Sequence, residues 1–486
     1  MTDFPIAIIG AGFAGIGAAV RLKKAGIHSF TIFERADDVG GTWRDNTYPG
    51  AACDVPSHVY SLSFEPNPRW SRRYSPSDEI WRYLRGVVEK WKLGEHLRTD
   101  TEIGEARFDE ASGSWTLVSE RGESFSARVV ISCVGGLVDP KLPDIKGLAS
   151  YRGELFHTAR WNHDYDLVGR RFAVIGTGAS AVQVVPAIAP VVEQLHVFQR
   201  TPGWVMPKGD AAYSERAKRI FERYPVALWL SRFAKYALSE LRGPMLILDS
   251  ERLSKPLQKL SLGHLATQVH DPALRAKLTP DYQLGCKRVL ISDDYWATFE
   301  RPNVELVTDP IEEITSTGLV TRDGSERRVD AIVLATGFEV GLSNAPFAIV
   351  GRGGQTLAAA WAHGAVAYQG MTVSGFPNWF ILMGPNTGPG HTSVLVYTEA
   401  QIRHVLGAIE LMRERRVKLV DVRQVVQNRY NQRLQRRMPH MVWSSGCNSW
   451  YLSGDGQNRS LFPGLAAEYA LRARRFRRRD YEIVDF

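Results

Sequence analysis

The 486-residue sequence predicts an α/β protein with two Rossmann-like dinucleotide-binding domains and a helical insertion in the second of them. Two turns with the same surroundings carry this prediction. A GxGxxG turn at residues 10–15 follows the apolar run 6–9, and a GxGxxA turn at residues 176–181 follows the apolar run 172–175. Each turn opens into a helical pattern, so its glycines would bring backbone N–H groups and a helix N-terminus against a pyrophosphate. Two such turns are much more specific than one.

The residue that closes the second strand of each unit predicts its ligand. Glu34 lies 24 residues after Gly10, and Arg200 lies 24 residues after Gly176. A carboxylate accepts hydrogen bonds from ribose hydroxyls and repels a 2′-phosphate, which fits the adenosine half of FAD or NAD. A guanidinium offers a cationic fork to a 2′-phosphate. We therefore expect FAD at the first site and NADPH at the second, with a solvated strand-end charge as the alternative interpretation of Arg200.

The candidate cofactor residues follow from these turns and strand ends. For the first site they are Gly10, Gly12, Phe13, Ala14, Gly15, Glu34 and Arg35. For the second site they are Gly176, Thr177, Gly178, Ala179, Ser180, Ala181, Arg200 and Thr201.

The chain divides into segments around the two turns. We expect a first FAD-binding part at residues 1–150 and an NADPH-binding unit at 151–208 and 284–340. Residues 209–283 carry apolar side chains at helical spacing and predict a helical insertion that acts as a lid or cap. In residues 341–486, an apolar strand at 379–383, a glycine- and proline-rich loop and a helix from about Thr392 predict a return to the FAD-binding unit and a wall of the substrate pocket. The helix N-terminus would point at the flavin ring, where its partial positive charge stabilises the reduced anionic flavin.

Composition and cysteine spacing exclude several classes of protein. The sequence is 44% hydrophobic and 23% charged, which is ordinary for a globular protein. No signal pattern precedes the first strand and no apolar run reaches membrane-spanning length, so we expect a cytoplasmic protein. The four cysteines have no spacing suited to zinc or to a redox CxxC motif, which predicts no metal site and argues against a flavin disulfide reductase.

The net charge of +8 is spread over the chain except near its end, where six arginines cluster at residues 472–479. Such a run is typical either of an anionic partner or surface, or of a solvated helix face. No aromatic and basic motif accompanies it, so we expect no nucleic-acid partner.

Two further motifs resemble those of one enzyme family. Residues 40–54, GGTWRDNTYPGAACD, match the pattern GGxWx4YPGx3D, and residues 151–162, YRGELFHTARWN, resemble FxGxxxHxxxW(P/D). Both are fingerprints of the Baeyer–Villiger monooxygenases, a class of flavoprotein monooxygenases. The resemblance covers nearly the whole chain and includes residues 199–202, 286–288 and 335–337. Tyr151, Asn162, Ala52 and residues 134–136 depart from the common pattern without removing a group that the chemistry requires.

This resemblance implies a reaction and assigns residues to it. NADPH would reduce FAD, the reduced flavin would capture O2 as a C4a-peroxide, and attack on a ketone would give an ester or lactone through a tetrahedral adduct. Arg288 would stabilise the negative charge that develops, and Asp54 would hold and tune Arg288. Lys287 would join Arg200 and Thr201 around the 2′-phosphate. From the residues alone, Lys287 and Arg288 are a basic pair on an exposed loop and Asp54 a turn carboxylate.

The resemblance also implies roles for several residues outside the two turns. Thr42, Trp43, Tyr60 and Asn386 would join Asp54 in the flavin site. Gly153, His157 and Trp161 would form a hinge that affects NADPH docking, although a lone histidine is more often a structural hydrogen-bonding residue. Trp450 and Tyr451 are candidates for the substrate-facing wall.

Two other functions share the nucleotide turns. A flavin N- or S-hydroxylating monooxygenase needs no Asp–Arg pair, so Asp54 and Arg288 favour ketone oxidation. A plain NADPH-dependent flavin reductase or oxidase would release hydrogen peroxide. The expected partners are a small ketone and O2, and no motif specifies the ketone or the oligomeric state.

Overall fold

The structure is a computed structural model that describes residues 4–339, 347–447, 449, 451–452 and 455–486. The strands, in chain order, are β1 (Ile6–Ile9), β2 (Phe30–Phe33), β3 (Leu97–Arg98), β4 (Ile103–Asp109), β5 (Ser114–Ser119), β6 (Ser124–Ala127), β7 (Val129–Ser132), β8 (Glu154–His157), β9 (Arg171–Ile175), β10 (Gln194–Phe198), β11 (Val205–Met206), β12 (Leu290–Ile291), β13 (Val304–Val307), β14 (Ile311–Ile314), β15 (Gly318–Thr321), β16 (Glu326–Arg328), β17 (Ala331–Leu334), β18 (Ala348–Val350), β19 (Trp379–Ile381), β20 (Val417–Val422) and β21 (Tyr481–Asp485). The α-helices are α1 (Phe13–Lys24), α2 (Thr42–Asp45), α3 (Ser77–Lys90), α4 (Ala181–Ile188), α5 (Glu215–Arg223), α6 (Pro225–Ile247), α7 (Glu251–Gln268), α8 (Pro272–Leu278), α9 (Tyr295–Thr298), α10 (Leu357–Ala360), α11 (Val394–Arg415), α12 (Gln424–Arg437) and α13 (Ala466–Ala473).

The first unit is a parallel five-stranded sheet in the order β19-β7-β1-β2-β3. Its central strands β1 and β7 are buried along their whole length, as continuous apolar runs in a sheet covered on both faces require. Helix α11 packs on α1, and a Cβ at Gly17 of α1 would lie 3.3 Å from the Ile402 side chain. Strand β19 and helix α11 therefore bring the last third of the chain back to the first sheet.

The second unit is another parallel sheet, in the order β13-β10-β9-β17-β8. Its strands β9 and β17 are almost completely buried, and α4 leaves the carboxyl end of β9. Each of the two parallel sheets has one nucleotide turn with a helix directly after it. This arrangement confirms the predicted α/β fold.

Antiparallel sheets join and extend these units. Strands β18, β4, β5 and β6 form one such sheet, with β18 parallel to β4, and β14, β15 and β16 form a second. Strands β20 and β21 pair near the carboxyl end of the chain.

The region between β11 and β12 is helical, as predicted. It comprises α5, α6, α7 and α8, and β11 pairs in parallel with β12 through Val205↔Leu290. The insertion therefore leaves and re-enters the second unit at one place. No helix within the described ranges combines the length and the hydropathy needed to cross a bilayer.

Candidate functional site

The first nucleotide turn is shaped by two glycines that have no room for a side chain. Gly10 has φ +101°, and a Cβ there would lie 2.6 Å from the carbonyl oxygen of Cys133. A Cβ at Gly15 would collide with the carbonyl oxygen of Gly10. Beside Gly12, in contrast, the nearest atom is the Gly41 Cα, 3.9 Å from a Cβ. The turn is thus packed on the strand side and open at the start of α1, which fits a pyrophosphate on the helix N-terminus.

Glu34 closes this turn from the next strand. Its buried carboxylate accepts hydrogen bonds from the Ala11 N–H at 2.8 Å and the Ala36 N–H at 3.1 Å, and it pairs with Arg44 at 3.1 Å. Arg35 lies further out, with Glu102 and Asp139 at 3.9 and 3.8 Å. Arg44 belongs to the first fingerprint but was not predicted as a site residue, because its pattern position accepts any residue.

Aromatic side chains stand beside the same turn. The Trp43 indole N–H donates to the Tyr60 hydroxyl at 3.1 Å, and the Tyr60 ring contacts the Phe13 ring edge to face at 5.1 Å. Thr42 begins α2 and is exposed, directly after Gly40 and Gly41. The first fingerprint therefore lies against the first nucleotide turn.

The second turn repeats the design of the first. Gly176 has φ +120°, and a Cβ there would collide with the carbonyl oxygen of Ala335. Gly178 and Ala179 are exposed, and α4 begins at Ala181 after Ser180. The Thr177 hydroxyl donates to the Thr201 carbonyl oxygen at 3.0 Å. This bond ties the turn to the segment that carries Arg200.

Gln183 of α4 joins the first fingerprint to the second unit. Its side-chain oxygen accepts from the Tyr48 hydroxyl at 2.8 Å, and its side-chain amide donates to the Ala52 carbonyl oxygen at 2.9 Å. Gly50, with φ +82°, lies close to the backbone of the same residue, since a Cβ at Gly50 would lie 2.6 Å from the Gln183 carbonyl oxygen. Sequence reasoning missed Gln183, because a glutamine in an apolar helix carries no motif that reveals its partners.

Arg288 and Asp54, which are 234 residues apart, form an ion pair with an Nη2–Oδ2 distance of 2.5 Å. The Arg288 side chain remains 48% exposed and that of Asp54 25%. The Asp54 charge raises the pKa of Arg288 well above its ordinary value, although burial acts in the opposite direction. The guanidinium is therefore charged at every pH at which the protein is folded.

The charges of Arg288 and Asp54 act on the phenol of Tyr451. Its side chain is buried, burial raises the pKa of its phenol to about 12, and the Arg288 charge opposes that shift. The structure thus brings together Asp54, Arg288 and one of the two residues predicted for the substrate wall. Trp450, the other one, lies outside the described residues.

Lys287 and Arg200 form a second positive region. Burial lowers the pKa of Lys287, and the positive charge of Arg200 lowers it further. The Lys287 ammonium also stands 4.8 Å from the centre of the Tyr282 ring. Two cations held near each other on the second unit are the arrangement that a phosphate group stabilises.

The remaining predicted residues make local hydrogen bonds or close packing contacts. His157 and Trp161 are buried at the end of β8, where the His157 Nδ1 accepts from the Ala159 N–H at 3.1 Å. Gly153 directly precedes β8, and a Cβ there would collide with the Tyr151 hydroxyl. Asn386 is buried, and its amide donates to the carbonyl oxygens of residues 458 and 461 at 3.0 Å. The predicted hinge and flavin-binding roles of these residues stay predictions.

A disulfide joins Cys286, the residue before Lys287, to Cys447. The bond closes a sequence separation of 161 residues and attaches the Arg288 loop to the segment that leads to Tyr451. No sequence motif indicates this bond, because widely separated cysteines can be paired only once their positions in space are known. Cys53 and Cys133 are buried free thiols.

Alkylation with iodoacetamide distinguishes the two free thiols from the two cysteines in the disulfide. Unfolding the oxidised protein in iodoacetamide without reductant should label two cysteines, and prior reduction should raise this number to four in the intact mass. The Cys447→Ser variant, which lacks the bond, should label three without reductant. Four labels on the unreduced wild-type protein would contradict the pairing.

Comparison with known proteins places this geometry among flavin enzymes. A family model described as "flavin-binding monooxygenase-like" matches residues 4–348. Proteins named Baeyer–Villiger monooxygenase from Pseudomonas aeruginosa and Streptomyces coelicolor are 45% and 43% identical to this chain. Both alignments cover 99% of this chain, and they cover 91% and 92% of the length of the two relatives, respectively.

Solved structures of similar proteins superpose over the whole chain. An oxidised steroid monooxygenase bound to NADP matches with a TM-score of 0.88 and 31% identity, with all of both chains covered. Cyclohexanone monooxygenase from Rhodococcus sp. Phi1 bound to NADP+ matches with a TM-score of 0.88 and 28% identity, with 99% of both chains covered.

Proposed function

We propose that this protein, which belongs to the Baeyer–Villiger monooxygenases of the flavin-binding monooxygenase-like family, uses NADPH and O2 to convert a ketone to an ester or lactone. The single observation that carries the proposal is the Asp54–Arg288 ion pair, which holds a positive charge against the end of the first fingerprint. Full-length similarity to two relatives named for this reaction supports it.

The two turns fit the two cofactors. The packed turn at Gly10 and Gly15, the carboxylate of Glu34 and the aromatic side chains of Trp43 and Tyr60 suit FAD. The turn at residues 176–181, together with Arg200 and Lys287, suits NADPH. When bound, NADPH supplies the reducing hydride and FAD supplies the activation of O2.

The protein's own contribution is electrostatic. Oxygen insertion next to a carbonyl develops negative charge on oxygen atoms, and a fixed guanidinium stabilises that charge without reorganisation. Asp54 keeps Arg288 charged and oriented from the first unit, while Arg288 itself follows the helical insertion. Asp54 therefore serves as a positioning residue, and Arg288 is the candidate catalytic residue.

This pair favours ketone oxidation over N- or S-hydroxylation. Oxidation of an electron-rich nitrogen or sulfur does not pass through the tetrahedral oxyanion adduct that a ketone would form, and this adduct is the charge that a guanidinium would stabilise. The Asp54–Arg288 pair would then have no part in the chemistry.

The proposal is tested by a balance of substrates and products. Purified holoenzyme is given NADPH in air with linear, cyclic, aromatic or steroid-like ketones, and NADPH, hydrogen peroxide and organic products are measured. We expect one ester or lactone per NADPH with at least one class of ketone. Products from amines or sulfides alone would favour the hydroxylating enzyme, and stoichiometric peroxide throughout would favour the oxidase.

We expect the Arg200→Gln variant to lose its preference for NADPH. Loss of a charge-assisted contact to the 2′-phosphate should raise the KM for NADPH about 10- to 100-fold, while the KM for NADH changes little. Steady-state kinetics with both coenzymes check this result. Arg328→Gln, which removes an exposed arginine from β16, is the control and should leave both constants unchanged. Equal effects on NADPH and NADH would contradict a phosphate contact.

The location in the cell follows from the coenzyme. NADPH is an intracellular reductant, and its proposed use supports the cytoplasmic location that we expect from the sequence.

A further inference from the structure

Helix α6 of the insertion exposes several large apolar side chains to solvent. Its exposed residues include Val226, Trp229, Leu230, Phe233, Leu238 and Leu241. Trp229 and Phe233 are 58% and 53% exposed and stack on each other with ring centres 5.4 Å apart. At about 1.5 Å per residue, this apolar stripe extends for about 22 Å along the helix. A contiguous apolar surface of this kind marks an interaction site.

Two charged residues of the same helix, Arg232 and Glu240, are largely buried and bonded to other parts of the protein. The Arg232 guanidinium donates to the carbonyl oxygens of His58 and Ser61 at 2.7 and 2.9 Å. Glu240 accepts from the His391 ring at 3.0 Å and from the Ala467 N–H at 3.1 Å. The helix is attached to the rest of the protein by these bonds. Its apolar face cannot be buried by a simple rotation, because that would strip these buried charges of their partners.

Positive charge borders the apolar stripe. Trp229 and Phe233 line a cleft of about 260 Å³ together with Arg403, Arg474 and Glu399, whose carboxylate lies 3.7 Å from the Arg232 guanidinium. Arg475, Arg477 and Arg478 follow on the exposed surface beyond α13. Within the described ranges, no carboxylate forms an ion pair with Arg403, Arg474, Arg475, Arg477 or Arg478. This surface, α6 together with the arginines around α13, is named the α6–α13 face.

We propose that the α6–α13 face docks on the surface of an anionic phospholipid bilayer. Apolar side chains on one helix, with aromatic residues among them and arginines at the border, are the combination that binds in the interfacial plane of a membrane. A second copy of this chain fits the face less well, because a symmetric contact would bring the same arginines face to face. An anionic leaflet, such as the cytoplasmic one, offers acyl chains to the apolar side chains and negative headgroups to the arginines. The helix lies on the bilayer and does not cross it.

Flotation with lipid vesicles tests this docking. The FAD-loaded full-length protein is mixed with vesicles of phosphatidylcholine alone or of phosphatidylcholine with 30% phosphatidylglycerol (about one anionic lipid in three). We expect binding to the anionic vesicles, a decrease with added salt, and about a fivefold loss for each arginine removed, as in Arg474→Gln and Arg475→Gln.

The decisive comparison uses two matched double variants. Trp229→Glu with Phe233→Glu changes the proposed face, and Val168→Glu with Val425→Glu adds the same charge at two other exposed apolar positions. FAD content and circular dichroism show whether each variant is folded. We expect the first pair to lose vesicle binding at least tenfold and the second pair to keep most of it.

Three results would overturn the proposal. They are absence of vesicle binding by the wild-type protein, equal binding to neutral and anionic vesicles, and equal losses in both double variants. A dimer that forms without lipid and dissociates in the Trp229→Glu, Phe233→Glu variant would assign the face to a second copy instead. None of these results bears on ketone oxidation, which the product balance tests separately.

Discussion

The Arg288→Ala variant is expected to consume NADPH and O2 without oxidising a ketone. Removal of a fixed charge that stabilises developing oxyanions costs about 10²- to 10³-fold in rate. Reduction of the flavin by NADPH does not need that charge, so NADPH oxidation should continue while the reducing equivalents leave as hydrogen peroxide. Parallel assays of NADPH, peroxide and ester measure the change as a loss of coupling.

Neighbouring variants separate the charge of Arg288 from its surroundings. Lys287→Gln changes the adjacent cation and should raise the KM for NADPH while product coupling is kept, because Lys287 lies with Arg200. Asp54→Asn should lower coupling less than Arg288→Ala does, since the guanidinium remains but loses its anchor. If Arg288→Ala formed ester with normal coupling, the assignment of Arg288 as the catalytic charge would be wrong.

The Gly15→Ala variant is expected to lose FAD and much of its stability. The added methyl group would collide with the carbonyl oxygen of Gly10, so one backbone segment must move, at a cost of about 1–3 kcal/mol or more. The same movement disrupts the turn on which the pyrophosphate would rest. Thermal unfolding and the ratio of flavin to protein absorbance measure both effects.

Two other glycine variants serve as controls for this result. Gly263 also lies in a helix, with no described atom within 4 Å of a Cβ, so Gly263→Ala should be neutral or stabilising by about 0.5–1 kcal/mol. Gly12→Ala has room on the protein side and should fold, but its methyl group faces the open side of the turn and should weaken FAD binding. Full FAD occupancy in both Gly12→Ala and Gly15→Ala would place the cofactor elsewhere.

Local features of the fold and the site could be predicted from the sequence. Glycine spacing, apolar runs and the strand-end residues Glu34 and Arg200 act over short distances along the chain, and they located both turns. The family resemblance added Asp54, from the first fingerprint, and Arg288, from residues 286–288; no local pattern reveals their pairing across 234 residues. What these signals share is a fixed position relative to a motif.

Features that depend on tertiary placement could not be predicted. Helical spacing in α6 indicated a helix and an apolar stripe, but periodicity does not say whether the stripe faces the core or the solvent. In the structure Trp229 and Phe233 are exposed, while Arg232 and Glu240 of the same helix are bonded to other segments. The Gln183 bonds and the Cys286–Cys447 disulfide likewise join segments that come together only after both units have folded.

The ion pair of Asp54 and Arg288 depends on the contact between two parts of the chain. One half of it follows β2 of the first sheet and the other half follows the helical insertion, so the complete pair exists only when these two parts of the chain are docked. A motion that separates them would leave the Arg288 guanidinium charged but without its Asp54 anchor, so under the function proposed above oxygen insertion would depend on the docked arrangement. Under that proposal, docking of the two parts of the chain and ketone oxidation would be coupled, which would limit the loss of reducing equivalents as hydrogen peroxide.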